Sequence, residues 1–296
     1  METLSVCPVC GSSGIAPFLY VPDHFLTKET FLIQQCNCCG LKFVNPRPAE
    51  NEIGRYYQTD EYISHNAEKN DLTSTIYKIA RHVSIRKKYG LLNKKKNIKT
   101  VLDIGCGTGE FLNYCQSKNM KICGQEPNSN ARNFAIQHNH LQVYATLGDV
   151  ENTKEHFDCI TMWHVLEHIH SLNETLTIIK GLLKPTGELI IAVPNCNSWD
   201  AEHYLDFWAA YDVPRHLYHF NSSSLNALMA GHGFEIVKTF PQKLDAFYIS
   251  LLSEKYHMAH NPYLNAVIKG WQSNYHAITT KSGYSSIIYL LTLKIP

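Results

Sequence analysis

From residue 99 onward, apolar residues occur in blocks that alternate between a strand-like and a helix-like period. Short apolar runs such as 157–163 are bounded by polar residues or glycine, whereas 171–183 repeats apolar residues every three to four positions. The blocks predict strands at 99–104, 121–125, 141–145, 157–163 and 188–193, and helices at 110–118, 129–138, 171–183 and 223–230. Strands that alternate with helices in this way predict an α/β fold with a mostly parallel sheet covered on both faces.

The two ends of the chain follow other patterns. Residues 235–240 and 286–294 are predicted to form a final antiparallel strand pair, with a helical insertion rich in Tyr, Leu and His at about 244–275. Upstream, 51–98 is an aromatic connector followed by a helix, and prolines close the segment before it. We therefore predict an N-terminal domain at 1–50, a connector with a helix at 51–98, and the α/β domain at 99–296.

The first 50 residues contain two cysteine pairs with metal-ligand spacing. Cys7 and Cys10 form one C-x₂-C pair, and Cys36 and Cys39 form a second one after a 25-residue gap. Two such pairs bring four thiolates to tetrahedral positions around one structural Zn²⁺, which would stabilise a segment too small to fold on apolar burial alone. Cys38 competes with Cys39, but only Cys36 and Cys39 repeat the spacing of the first pair. Residues 1–50 are therefore predicted to be a zinc-ribbon-like domain.

Composition limits the location of the protein. The chain has 296 residues and 44% hydrophobic residues, and no apolar run reaches the roughly 18 residues that cross a bilayer. No basic segment followed by an apolar run marks an export signal at its start. Ten cysteines in such a chain predict a reducing, cytoplasmic setting without disulfides.

The net charge of +1 conceals an uneven distribution. Nine Lys and Arg residues and no acid lie between 72 and 102, and all nine are at 78–99. This segment is either a solvated helix face or a surface that meets a phosphate. The remainder is acidic overall, which makes a nucleic-acid partner unlikely. The Asn/Asp-Pro-Pro-aromatic box with which enzymes hold a flipped base is also missing at Val193-Pro-Asn195.

The segment 101–111, VLDIGCGTGEF, carries the clearest chemical signal. It reads as a buried strand ending in a turn with Gly105, Gly107 and Gly109 at alternate positions. Glycine reaches positive φ and has no Cβ, so a ligand can lie directly against the backbone. The spacing is G-x-G-x-G, which disfavours an NAD-dependent oxidoreductase because dinucleotide enzymes carry G-x-G-x-x-G.

Acids follow the ends of successive predicted strands. Asp103 precedes the glycine turn and can brace it or meet an ammonium group through water. Glu126 ends the second strand at the place of a ribose-binding acid, a placement that dinucleotide enzymes share. Asp149, beyond the third strand, is the candidate for an adenine amine. The neighbouring Pro127 and Val150 are included in the predicted cofactor site.

Two histidine-rich segments follow. His164-Val-Leu-Glu-His168 formally matches an inverted zinc-peptidase pattern, but its place after the fourth strand favours contact with a cofactor. In the polar loop 211–220, YDVPRHLYHF, His216 is the first candidate for a general base, with His168 as the second. Arg215 is predicted to clamp a phosphate or carboxylate, although these residues could instead only hold the loop together.

The glycine turn resembles motif I of class I S-adenosylmethionine (SAM) methyltransferases, and HVLEH resembles their motif after the fourth strand, as in ubiquinone-pathway O-methyltransferases. With the cysteine pairs, the chain resembles a branch in which a small zinc domain precedes the SAM fold, as in some deoxysugar C-methyltransferases. The resemblance implies a Rossmann-like sheet with an antiparallel last strand, SAM as cofactor, His164 facing SAM, and Tyr57, Tyr62 and His65 folding over it.

The implied function is SN2 methyl transfer to a small-molecule, sugar, glycan or lipid-linked acceptor, with or without a phosphate group, with a histidine base. The alternative is a zinc-ribbon interaction protein that retains a non-catalytic SAM-binding scaffold. For the insertion at 244–275 three roles stay open, namely a cap over the acceptor, contact with a membrane surface or core structure. The acceptor, the oligomeric state and the choice among O-, C- and N-methylation are not fixed by the sequence.

Overall fold

The fold was examined in a computed structural model. It describes residues 1–57, 72–92, 98–280 and 282–294, and side chains in the helix at 72–92 only from residue 82. The chain divides into two compact units. The first unit comprises 1–58, 164–172 and 191–294, and the second comprises 59–163 and 173–190, with the last two residues. The three-domain division proposed from the sequence stays a prediction.

The described residues contain eleven strands. These are β1 (Ile15–Pro22), β2 (Thr30–Cys36), β3 (Lys42–Val44), β4 (Thr100–Ile104), β5 (Lys121–Gln125), β6 (Val143–Tyr144), β7 (Phe157–Trp163), β8 (Leu183–Pro194), β9 (Tyr218–His219), β10 (Phe234–Pro241) and β11 (Ser286–Leu293). Strand β8 begins in the second unit and ends in the first.

The same residues contain nine α-helices. These are α1 (Leu72–Leu92), α2 (Glu110–Gln116), α3 (Ser129–Asn139), α4 (Leu147–Glu151), α5 (Leu172–Leu182), α6 (Trp199–Tyr204), α7 (Ser222–Gly231), α8 (Asp245–Tyr256) and α9 (Pro262–Thr279). Single 3₁₀ turns at Ile53–Tyr57 and Leu166–His168 carry residues of the candidate site. No helix within the described residues is long and apolar enough to cross a membrane.

Seven strands form the larger sheet in the order β10-β11-β8-β7-β4-β5-β6. Strand β4 pairs in parallel with β5 and β7, and β5 pairs in parallel with β6. Nearly every residue of these strands is buried, as expected for a parallel sheet covered on both faces. Because β10 pairs antiparallel to β11, the predicted fold class is confirmed, including its antiparallel last strand.

A smaller sheet in the first unit has the order β1-β2-β3-β9. Its strands pair antiparallel, and β9, from the polar loop at 211–220, forms its last strand. One side packs into an apolar cluster that includes Ile33, Tyr56 and Trp208. The polar loop therefore belongs to the same packed unit as the cysteine-rich N-terminus.

Candidate functional site

The glycine turn of the second unit follows buried β4 and leads into α2. Gly105, Gly107 and Gly109 all have positive φ, at 66°, 56° and 79°. A Cβ on Gly109 would lie 2.2 Å from Leu141 Cδ1, whereas a Cβ on Gly107 would meet nothing within 4 Å. Packing therefore requires a glycine at position 109. Gly107 instead borders open space that a Cβ would enter, which fits a backbone cradle for a ligand.

Glu126 is already bonded to this turn. One carboxylate oxygen accepts the N–H of Gly107 at 2.8 Å, and the other accepts the N–H of Asn128 at 2.9 Å. Burial raises the pKa of Glu126, while these two N–H groups oppose the rise. Arg132 bonds the carbonyl oxygens of Glu126 and of the neighbouring Pro127. The acid predicted to meet a ribose is therefore held in place beside the glycine turn.

Asp103 is buried beneath the same turn. Its Oδ1 accepts the hydroxyl of Thr161 at 2.6 Å, and burial raises its pKa to about 7. This bond joins β4 to the neighbouring β7, so Asp103 has the bracing geometry that was one of its two predicted roles. Asp149 lies farther along the chain and closes a capping box with Thr146 at the start of α4, while the side chain of Val150 is fully buried.

Trp163 was missed by the sequence reasoning. It ends β7, its ring packs edge-to-face on Phe111, and the ammonium of Lys88 lies 4.7 Å from its centroid. Its buried Nε1 has no hydrogen-bond partner in the part of the chain that the structure describes. Buried N–H groups are rarely left in this state without a ligand or water. The only available signal was its position at the end of the fourth strand of the predicted sheet.

Two imidazoles lie together in the first unit. The rings of His168 and His216 are 4.6 Å apart between centroids. Nδ1 of His216 lies 2.9 Å from the carbonyl oxygen of Ala210, and Nδ1 of His168 lies 3.0 Å from that of Arg215. A carbonyl only accepts, so Nδ1 of His216 carries the proton and the lone pair of the neutral ring is on Nε2. The ring of His216 is therefore held in the tautomer that a base or a metal ligand needs.

Burial and the nearby His216 lower the pKa of His168 to about 4, so this ring is neutral at pH 7. The hydroxyl of Tyr57, at the end of a 3₁₀ turn, lies 3.0 Å from Nδ1 of His168. Tyr57 therefore contacts one of the two candidate bases. The other two predicted lid residues, Tyr62 and His65, lie outside the described residues.

Glu167 is the second residue that the sequence reasoning undervalued. Its side chain is 1% exposed, and neither carboxylate oxygen has a hydrogen-bond partner among the described residues. Ligand atoms of Glu167, His168 and His216 all lie within 4.8 Å of one another. Burial alone would raise the pKa of Glu167, but the surrounding imidazoles outweigh it and lower that pKa. The three residues could pass a proton or hold a metal ion.

His164 adopts positive φ of 57° just before this group. Its Nε2 lies 3.2 Å from Asp245 Oδ2, and its Nδ1 lies 3.5 Å from Glu167 Oε1. Burial alone would lower the pKa of His164, but the two carboxylates raise it to about 9. The ring is thus a cation held between two carboxylates of the first unit, and its predicted contact with a cofactor stays a prediction.

Arg215 requires a correction. Its side chain is 2% exposed and forms a buried ion-pair network with Asp23 and Asp212, at 2.8 and 2.7 Å. Its remaining N–H groups reach the carbonyl oxygen of Tyr56 and the other carboxylate oxygens. The predicted role as an anion clamp does not fit this geometry, because every guanidinium donor is used within the fold. Arg215 instead holds the loop that carries His216.

The four predicted zinc ligands come together in the first unit. Their sulfur atoms lie within 4.8 Å of one another, and Cys7–Cys39 and Cys10–Cys36 are 3.6 Å apart. A tetrahedral site with Zn–S bonds of about 2.3 Å has sulfur atoms roughly 3.8 Å apart, so the donor set fits zinc. Burial alone would raise the pKa of Cys36, but N–H groups of Cys39 and Cys38 lower it to about 7.

The fold and the glycine turn define an α/β protein with a candidate ligand site at the carboxyl ends of its strands. The sequence model described as "Methyltransferase domain" matches residues 77–239, more than half of the chain. The chain therefore belongs to this methyltransferase family.

Two curated relatives are ubiquinone biosynthesis O-methyltransferases. The one from Rhodopseudomonas palustris (strain BisA53) is 29% identical over 33% of this chain and 40% of its own length. The one from Glaesserella parasuis is 33% identical over 36% of this chain and 48% of its own length. The matched segments thus span less than half of these relatives. Magnesium protoporphyrin IX methyltransferase from Synechocystis PCC 6803, solved with bound SAH, has the same fold, with a TM-score of 0.52 and 12% sequence identity. The match covers 81% of this chain and 97% of that enzyme.

Proposed function

We propose that this chain is a SAM-dependent methyltransferase that acts on a small-molecule acceptor. One observation carries the proposal, namely a positive-φ glycine turn whose Gly107 N–H is already bonded to the acid at the end of the next strand. Family membership and the fold of the Synechocystis enzyme support it. When bound, SAM would supply an electrophilic methyl group on its sulfonium.

The residues of the second unit fit the polar parts of this cofactor. Backbone at Gly105 and Gly107 would take the amino-acid end, where the space beside Gly107 is open. Glu126 would meet the two ribose hydroxyls, and the segment of Asp149 and Val150 would meet adenine. Asp103 would maintain the turn through Thr161. Trp163 offers a buried N–H that a ligand could satisfy.

The histidine pair of the first unit would remove the acceptor proton. His216 is the preferred base because its tautomer is fixed with the lone pair on Nε2, and His168 is the second choice because its pKa is low. Glu167 would stabilise the imidazolium that forms when either ring takes the proton. Most of the rate enhancement would come from alignment of the reactants and exclusion of water.

The acceptor class follows from the relatives and the sequence. The names of the ubiquinone-pathway relatives favour methyl transfer to an oxygen of a small molecule. Sugar, glycan, lipid-linked or phosphate-bearing acceptors remain part of the proposal from the sequence. A cytoplasmic location is likewise proposed only from the cysteine content.

Calorimetric titration with SAM, SAH and NADH tests the proposed cofactor. We expect saturable binding of SAM and SAH and none of NADH. No binding of SAM, or tight binding of NADH, would contradict the proposal. Binding of SAM without methyl transfer to any member of a broad panel of phenols, catechols, lipids and sugars would favour the scaffold alternative.

We also propose one structural Zn²⁺ on Cys7, Cys10, Cys36 and Cys39. The chain offers a matched pair of variants for this site, since Cys38 and Cys39 are neighbours and only Cys39 is in the sulfur cluster. Metal analysis of the purified protein should give one zinc per chain for wild type and Cys38→Ser, and much less for Cys39→Ser. Equal zinc in the two variants would contradict the assignment.

A further inference from the structure

Helix α9 exposes large apolar side chains along one face. Those of Leu264, Val267, Ile268, Trp271, Tyr275 and Ile278 are 45–67% exposed. At 100° per residue, these positions and Tyr263 fall within an arc of about 140°. Its three aromatic side chains alone present roughly 300–500 Å², since each has about 150–250 Å² to bury. A typical monomer rarely exposes a larger continuous apolar patch.

The opposite face of the same helix shows that this exposure is specific. Small residues of α9 are buried on its other side, namely Ala266, Gly270 and Ser273. The hydroxyl of Ser273 donates to Asp200 of α6. A Cβ on Gly270 would lie 2.5 Å from the ring of Phe247, so α8 and α9 are in close contact there. The small residues already serve the packing of α9 within its unit. The large apolar side chains stay exposed among the described residues, even though Trp271 also contacts the edge of Phe247.

Charge indicates which partner this is. From residue 255 to the end of the sequence there is no aspartate or glutamate, whereas Lys255, Lys269, Lys281 and Lys294 are basic. The ammonium of Lys255 lies 5.6 Å from the ring centroid of Tyr263, at one end of the exposed face. A basic segment with an apolar face matches an anionic lipid surface. A second copy of this face would offer no carboxylate from residues 255–296 to pair with these lysines.

The composition of the face supports the same partner. Trp271, Tyr263 and Tyr275 combine an apolar ring with a polar tip, as residues at the headgroup level of a membrane do. We propose that this face of α9 is a peripheral membrane-binding surface that rests on anionic phospholipid. This inference does not depend on the proposed methyl transfer.

Flotation of the full-length, zinc-loaded chain with lipid vesicles tests the surface. Vesicles of phosphatidylcholine mixed with phosphatidylglycerol should carry the protein, and neutral phosphatidylcholine vesicles should carry several-fold less. Trp271→Glu and Ile278→Glu should each weaken binding by about tenfold or more, because each places a charge in the apolar face. Lys255→Gln should weaken binding to anionic vesicles by about fivefold.

Two variants control for added charge and for lost apolar surface elsewhere. Gln272→Glu adds the same charge on the same helix outside the face, and Val237→Glu replaces a valine that is 57% exposed on β10. Both should float as the wild type does. The proposal fails if the wild type does not float with anionic vesicles, or if Trp271→Glu floats equally well. It also fails if light scattering finds a dimer that Trp271→Glu separates, since the face would then join two copies.

Discussion

The glycine turn of the second unit and the histidine cluster of the first unit use their polar groups differently. In the turn, the acids are already bonded, Glu126 to two backbone N–H groups and Asp103 to Thr161. In the cluster, Glu167 is buried with neither oxygen hydrogen-bonded among the described residues. The polar groups of the turn are thus already satisfied within the fold, whereas Glu167 in the cluster could still accept a hydrogen bond or hold a metal ion.

The two regions also differ in the free-energy cost of burying their carboxylates. A carboxylate buried without hydrogen bonds is destabilising unless nearby charge compensates it. Next to Glu167, the imidazolium of His164 lies 3.5 Å from Oε1 and provides this compensation, so that the pKa of Glu167 is lowered despite its burial. Unbonded buried groups with perturbed pKa values concentrate at functional sites, so the comparison supports the proposal that the cluster carries the chemistry and the turn holds the cofactor.

The largest effect is expected at the turn. Gly107→Val should weaken SAM binding by about 100-fold or more, because the side chain enters the open space and strains a positive-φ position. Calorimetry measures the affinity, and circular dichroism checks the fold. Gly181→Ala in α5, where a Cβ also meets nothing within 4 Å, should bind SAM normally. Unchanged affinity of Gly107→Val would mean that the turn does not hold the cofactor.

A substitution in the histidine cluster should lower turnover without changing the affinity for SAM. His216→Ala should lower turnover by about 100-fold or more and leave SAM affinity unchanged, since the ring is proposed to act only as a base. Transfer of labelled methyl to an acceptor found in the panel measures turnover. His156→Ala, at an exposed histidine of the second unit, is the control. Full turnover of His216→Ala would exclude His216 as the base.

The difference between the two regions also explains what the sequence could predict. The turn depends on neighbours in the chain, so glycine spacing and the strand period located it, as they located β5 and β7 with their observed bounds. The cluster joins residues about fifty positions apart, 167–168 and 216. Two roles stayed open for Arg215, an anion clamp or a residue that holds the loop. The sequence could not decide between them because one of its two carboxylate partners, Asp23, lies in the N-terminal segment, and no local pattern relates Asp23 to Arg215.

A smaller effect on SAM affinity is expected when Glu126 is replaced by a side chain of the same shape without its charge. Glu126→Gln should weaken SAM binding by about tenfold, because the amide oxygen can still accept one N–H while the charged acceptor for ribose is lost. Calorimetry again measures the affinity. Glu151→Gln, an exposed glutamate at the end of α4, should bind as the wild type does. An equal affinity in both variants would show that Glu126 only shapes the turn.

The smallest effect concerns the stability of the cluster as pH changes. The folded pKa of His164 is about 9, above its ordinary 6.5, because Asp245 and Glu167 favour the imidazolium against the effect of burial. Its contribution to the free energy of unfolding is therefore fully present below about pH 6.5 and is lost as pH rises through 9. Urea unfolding across this window should show a smaller loss of stability for His164→Gln than for wild type. Any strain of the new side chain at positive φ is the same at every pH, so only the change of unfolding free energy with pH reports the ion pairs of His164. If this change is equal in the two proteins, His164 is neutral in the folded protein.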